Sequence, residues 1–136
     1  MAHALIDTGA IYAFVTRNDC HHAEAAAFTR KWVSRRNLFV LADMIFFETM
    51  TLIKRRLGAS AAVRVGRELR ENPVYLWKAV TPELERVVWD IFQRYEDKEW
   101  SYTDCALLVL SRDLKTPIVF SFDEHLAQMR GIKRIP

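Results

Sequence analysis

The sequence predicts an α/β sandwich, a mainly parallel central sheet with helices on both faces. Two observations carry that prediction. Leu38-Phe39-Val40-Leu41-Ala42 and Ile118-Val119-Phe120-Ser121-Phe122 are almost wholly apolar runs of strand length, the pattern of strands buried on both faces. Longer segments with helical apolar spacing lie around them, so strands and helices alternate along the chain. The 136 residues are 51% hydrophobic, enough to bury a real core. Their number fits one domain, residues 1–136. No repeat, low-complexity stretch or Gly/Ser/Pro linker interrupts them.

The elements follow in order. His3-Ala4-Leu5-Ile6 reads as a short strand ending at Asp7. Asp19 predicts an N-cap for an Ala-rich helix running to about Arg35. The run at Leu38–Ala42 is a buried strand. Asp43 then caps a helix to about Leu57, stopped by Gly58, with a core stripe of Phe46, Met50, Ile53 and Leu57. A further helix spans about Ser60 to Arg70 and ends before Asn72-Pro73, and Val74 to Val80 reads as a strand. Thr81-Pro82-Glu83 opens a helix with proline in its first turn. Ser101-Tyr102-Thr103-Asp104 has the capping-box form and starts a helix to about Leu114. After the strand Ile118–Phe122, a short helix from Glu124 and a last strand at Ile132–Ile135 close the chain.

Charged residues make up 27% and the net charge is +3, which admits a polyanionic partner without requiring one. Cys20 and Cys105 form no disulfide framework, and Cys105 reads as a small buried hydrophobe. A reducing, cytoplasmic location is expected. Met1 to Asp7 lacks the basic and apolar regions of a signal peptide, and no apolar run is long enough to span a bilayer.

In a parallel sheet, ligands bind beyond the carboxyl ends of the strands. Asp7 and Asp123 each follow a strand, Asp104 stands in a first helical turn, and Glu48 lies one turn into its helix. All four are expected to reach one edge of the sheet. Taken singly, Asp7, Asp104 and Asp123 are each explained as caps. Glu48 is not: it sits mid-helix beside Met44, Ile45 and Leu52, where an ionised carboxylate loses hydration unless a cation or donor compensates. An ion pair with Arg55, two turns on, is its structural alternative. Clustered carboxylates repel and need a counter-cation. Hard oxygen ligands select Mg²⁺ or Mn²⁺, ions suited to phosphoryl chemistry.

These segments together resemble the PIN-domain family, and within it the VapC-type toxins of toxin–antitoxin pairs. The resemblance runs through Leu5-Ile6-Asp7-Thr8-Gly9-Ala10-Ile11, Asp19-Cys20-His21-His22-Ala23-Glu24-Ala25 and Phe47-Glu48-Thr49 with Leu52 to Gly58. It continues through Ser101-Tyr102-Thr103-Asp104-Cys105 and Phe120-Ser121-Phe122-Asp123-Glu124-His125-Leu126. Ser121 stands where threonine is commoner, and Leu126 where an aromatic residue is common. The resemblance implies a three-layer fold and a metal site of Asp7, Glu48, Asp104 and Asp123. It implies a Mg²⁺- or Mn²⁺-dependent endoribonuclease that leaves a 5′-phosphate and a 3′-hydroxyl. It also implies an RNA substrate, a cognate antitoxin protein and a homodimer. A PIN-fold RNA-processing nuclease that is not a toxin, or a non-catalytic RNA- or protein-binding module, is the alternative.

Asp7-Thr8-Gly9 also spells the aspartic-protease signature, but that chemistry needs an all-β fold. Lys54-Arg55-Arg56 either complements the dipole of its helix or lines an RNA path. Arg64, Arg67 and Arg70 alternate with Glu68 and Glu71, as on a solvated helix. Cys20-His21-His22 has the wrong spacing for a closed zinc site. His125, beside Asp123, reads as a surface histidine or as a phosphate contact, and Trp100 as core or as a base-stacking ring.

Overall fold

The computed structural model describes residues 1–136. Five strands, β1 (His3–Ile6), β2 (Leu38–Ala42), β3 (Tyr75–Lys78), β4 (Ile118–Phe120) and β5 (Lys133–Ile135), form one sheet in the order β3-β2-β1-β4-β5. Every pairing is parallel. The sheet grows outward from β1 in both directions. Its order therefore switches between β1 and β4, where Leu5 pairs Val119 and Ile6 pairs Phe120. Such a switch opens a crevice at the carboxyl ends of the strands.

Seven helices complete the sandwich: α1 (Thr8–Val15), α2 (His22–Ser34), α3 (Asp43–Leu57), α4 (Ala59–Glu71), α5 (Pro82–Arg94), α6 (Tyr102–Asp113) and α7 (Glu124–Ala127). Successive strand residues face opposite sides, and Ala4, Leu5 and Ile6 are all buried, as are Phe39 to Ala42. Both faces of the sheet are thus covered. On α6 every residue from Asp104 to Ser111 is buried, so this helix lies inside the packing rather than upon it. Phe39 and Phe120 are wholly buried and lie 5.8 Å apart between ring centroids. No helix is long and apolar enough to cross a membrane.

Helix boundaries follow local chemistry. Thr81 caps α5 through its hydroxyl, with Pro82 at the start. Gly58 ends α3 at φ +97°, a conformation that favours glycine. Two expectations are corrected. Asp19 does not cap α2; it forms a preceding turn in which its carboxylate accepts from His21 N, and α2 starts at His22. The buried stripe of α3 is Ile45, Thr49 and Ile53; of the expected stripe Ile53 is buried, Phe46 and Met50 are only partly so, and Leu57 is exposed. Phe46 and Met50 instead flank Gly66 of α4. Thr49 is tolerated in the core because its hydroxyl reaches the Thr8 hydroxyl at 3.3 Å.

Phe120 packs against the rings of Phe28, Phe39 and Phe122. Phe120→Ala is expected to destabilise the protein by about 3–5 kcal/mol, through lost burial and a cavity. Equilibrium urea unfolding measures it; a change below about 1 kcal/mol shows that the β1–β4 seam tolerates repacking.

Candidate active site

Backbone and side-chain bonds tie three aspartates to the mouth of the β1–β4 seam. Asp7 directly follows β1 and caps α1, its Oδ1 accepting from Thr8 N at 2.8 Å. Ser121, directly after β4 and fully buried, donates its hydroxyl to Asp7 Oδ2 at 2.7 Å. The same hydroxyl oxygen accepts from the Asp123 backbone N–H at 3.0 Å. Arg134 of β5 donates to the Ser121 carbonyl at 3.2 Å and so holds this turn from behind. Asp123 caps α7 by accepting from His125 N at 2.8 Å. Asp104 completes the capping box of α6: Oδ2 accepts from Ser101 N, and Ser101 Oγ accepts from Asp104 N. Each aspartate is therefore a cap, and the three caps share one place.

That place is a cleft of about 410 Å³. Its lining carries five carboxylates, from Asp7, Asp19, Glu48, Asp104 and Asp123, against one guanidinium, from Arg56. Burial pushes the Asp7 carboxyl up to about 6, with Asp104 and Asp123 adding repulsion; the Ser121 hydroxyl and Thr8 N–H oppose this. Asp104 is also held above the usual carboxylate range, first by burial and then by Asp123; Ser101 and His125 oppose the shift. Two acids that resist ionisation side by side form a site short of positive charge.

The structure brings Glu48 to the same cleft from α3, but in a different state from the one expected. It is exposed, no ion pair joins it to Arg55, and the hydration argument does not apply. With Ile45, Thr49 and Ile53 facing the core, Glu48 lies on the flank of α3, about a quarter-turn from the buried stripe, where it is exposed and lines the cleft. Arg56, to which the sequence gives either a dipole-complementing role or a place on an RNA path, lines the cleft, with its guanidinium 5.2 Å from the centre of the Tyr12 ring.

Two residues gain a place that the sequence did not suggest. His125 is not a bystander: its Nδ1 lies 3.4 Å from Asp123 Oδ1 and 3.7 Å from Asp104 Oδ2. Its spacing two residues after a capping aspartate was the available signal. His21 stacks flat on Phe122, with centroids 4.3 Å apart, on the cleft wall. No local pattern joins these two, since they are distant in sequence. Trp100 packs on Tyr95 at 4.8 Å and belongs to the α5–α6 corner rather than to the cleft.

The donor set fits a hard divalent cation. Carboxylate oxygens dominate, two aspartates are held protonation-prone by burial and mutual repulsion, and Asp104, Asp123 and His125 present ligand atoms within 4.8 Å of one another.

The sequence pattern of the PIN domain matches residues 4–132. The chain belongs to the PIN-domain family. The VapC ribonuclease of Archaeoglobus fulgidus is 31% identical over 128 residues, covering 91% of this chain and 79% of that one. VapC20 of Mycobacterium tuberculosis, a 23S rRNA-specific endonuclease, is 28% identical over 118 residues, covering 87% of each chain. The crystal structure of VapC20, described as a sarcin–ricin loop cleaving toxin, superposes with a TM-score of 0.81 at 25% identity. That match covers 95% of this chain and 98% of VapC20. This PIN domain is a VapC-type endoribonuclease.

The Asp7 shift has a stability consequence. Its folded pKa of about 6 lies above the ordinary 3.8, so the favourable contribution is full below about pH 4. It is lost as pH rises through about 6. At about 1.4 kcal/mol per tenfold change in proton affinity, the deficit at neutral pH is of the order of 3 kcal/mol. Asp7→Asn keeps the size of the side chain and removes the charge. We expect this variant of the PIN domain to melt several degrees higher than wild type at pH 7 without divalent ions. The gain is expected to vanish at pH 4. Calorimetry across pH checks this, and an equal or lower melting temperature at pH 7 contradicts it.

Proposed function

We propose that this PIN domain hydrolyses RNA phosphodiester bonds with a divalent cation, Mg²⁺ or Mn²⁺, and acts as the toxic component of a toxin–antitoxin pair. Asp7, Asp104 and Asp123 would hold the cation, and Glu48 would complete the site from the opposite wall. The observation that carries this reading is the meeting of these acids, from four elements, in one cleft with a single guanidinium. An RNA phosphate is repelled from such a cleft unless a cation neutralises it.

Held by Asp7, Asp104 and Asp123, a divalent cation would supply polarisation of the scissile phosphate and a lower pKa for an attacking water. The protein's own groups do the rest. Ser121 and Arg134 fix the spacing of Asp7 and Asp123. The capping box holds Asp104 on the rigid end of α6. Arg56 offers the cleft wall a phosphate contact. Attack by water needs no 2′-hydroxyl and leaves a 5′-phosphate and a 3′-hydroxyl. The similarity to VapC20 makes 23S rRNA the first substrate to assay.

The remaining parts of the reading concern partners. Phe47 of α3 and Leu76 and Trp77 of the edge strand β3 are exposed large apolar side chains, a surface suited to homodimer formation. A cognate antitoxin protein would keep the enzyme inactive in the cytoplasm, the compartment in which both free cysteines stay reduced.

Cleavage of 23S rRNA by wild type is expected to stop in EDTA and return with added Mg²⁺ or Mn²⁺. Asp104→Asn is expected to lower the rate by roughly two orders of magnitude or more, the scale of a lost metal contribution. Melting curves run alongside separate loss of chemistry from loss of fold. Equal cleavage by the variant, or full activity in EDTA, removes the assignment.

A further inference from the structure

We infer that His125 is a metal ligand, giving this site one imidazole nitrogen beside its carboxylates and a preference for first-row transition ions such as Mn²⁺ over Mg²⁺. The inference rests on the proposed cation site and names a residue outside the four acids. Its basis is spacing. In an octahedral site with bonds of about 2.1 Å, adjacent ligand atoms lie about 3.0 Å apart and opposite ones about 4.2 Å. His125 Nδ1 is 3.4 Å from Asp123 Oδ1 and 3.7 Å from Asp104 Oδ2, and the three ligand atoms lie within 4.8 Å of one another, so shifts of several tenths of an ångström would bring them to octahedral spacing. No other trio of His, Cys, Asp or Glu in the chain brings its ligand atoms so close together.

The backbone holds this arrangement. Asp123 Oδ1 accepts from the His125 N–H, so one cap fixes where the histidine begins. Arg134 and Ser121 fix where Asp123 begins. The imidazole is partly exposed, at 36%, and so is open to an ion arriving from solvent. Imidazole favours the later first-row divalent ions, whereas Mg²⁺ favours oxygen alone. One nitrogen ligand therefore tilts selectivity without abolishing Mg²⁺ binding.

The rival role for His125 is an internal cation that neutralises Asp104 and Asp123. The two roles predict opposite signs. A ligand lost weakens metal binding, whereas a competing cation lost strengthens it.

The test uses the full chain and the metals alone. Mn²⁺ affinity is read from the free-ion EPR signal, and Mg²⁺ affinity by competition, for wild type, His125→Ala and Asp104→Asn. Pulsed EPR of bound Mn²⁺ reports a directly attached nitrogen. Wild type is expected to show nitrogen coupling to the ion. His125→Ala is expected to lose that coupling and about tenfold or more in Mn²⁺ affinity, with Mg²⁺ affinity changed less than about threefold. Asp104→Asn is expected to lose affinity for both ions. Absence of nitrogen coupling in wild type, or Mn²⁺ affinity unchanged or tighter in His125→Ala, overturns the role of His125 and leaves the acidic site standing. Failure of wild type to bind Mn²⁺, or equal binding by Asp104→Asn, overturns the cation site itself and this inference with it.

Discussion

Repulsion among buried carboxylates is the constraint around which this molecule is organised. Asp7 is held near pKa 6 by burial and by its acidic neighbours, and Asp104 is raised by the same causes. A fold gains nothing from that arrangement in isolation. The surroundings are built to sustain it. β1 and β4 pair in register, Ser121 bonds Asp7 with its hydroxyl and Asp123 with its oxygen, and a capping box pins Asp104. Each of these contacts also stabilises a helix start or a sheet edge. The acidic site is thus supported by bonds that the fold needs in any case, and the unfavourable electrostatics stay local.

Much of the fold is legible in the sequence because its signals are local. The apolar run at Leu38–Ala42 is a strand, the run expected from Ile118 to Phe122 is a strand over Ile118–Phe120, Gly58 and Pro82 mark helix boundaries, and Ser101 with Asp104 forms the capping box that its spacing predicts. The helix α3 shows where local reading ends. Two overlapping stripes, Ile45-Thr49-Ile53 and Phe46-Met50-Ile53-Leu57, both have helical spacing and share Ile53. Spacing cannot decide which one faces the sheet. A buried Thr49, satisfied by the hydroxyl of distant Thr8, tips the choice.

The choice places Glu48 on the flank of α3 beside the cleft, exposed to solvent rather than enclosed by its apolar neighbours in sequence. The candidate site follows the same logic. Asp7, Asp104 and Asp123 are recognisable because each sits at the end of an element, where caps and catalytic groups share a location. His125 is marked only by its spacing after Asp123, and His21 carries no such mark. The contacts of His125 with Asp104 and of His21 with Phe122 join separate segments of the chain. Only tertiary packing creates them, so composition and periodicity are silent about them.

The position of β4 beside β1 has a temporal meaning. The first strand and nearly the last meet at the centre of the sheet, and the acids they carry, Asp7 and Asp123, belong to opposite ends of the polypeptide. During translation the amino-terminal strands leave the ribosome long before β4 does, and folding proceeds as segments emerge. Asp7 therefore gains its Ser121 hydrogen bond and its neighbour Asp123 only once β4 has emerged, so the acidic cleft is among the last parts of this fold to assemble.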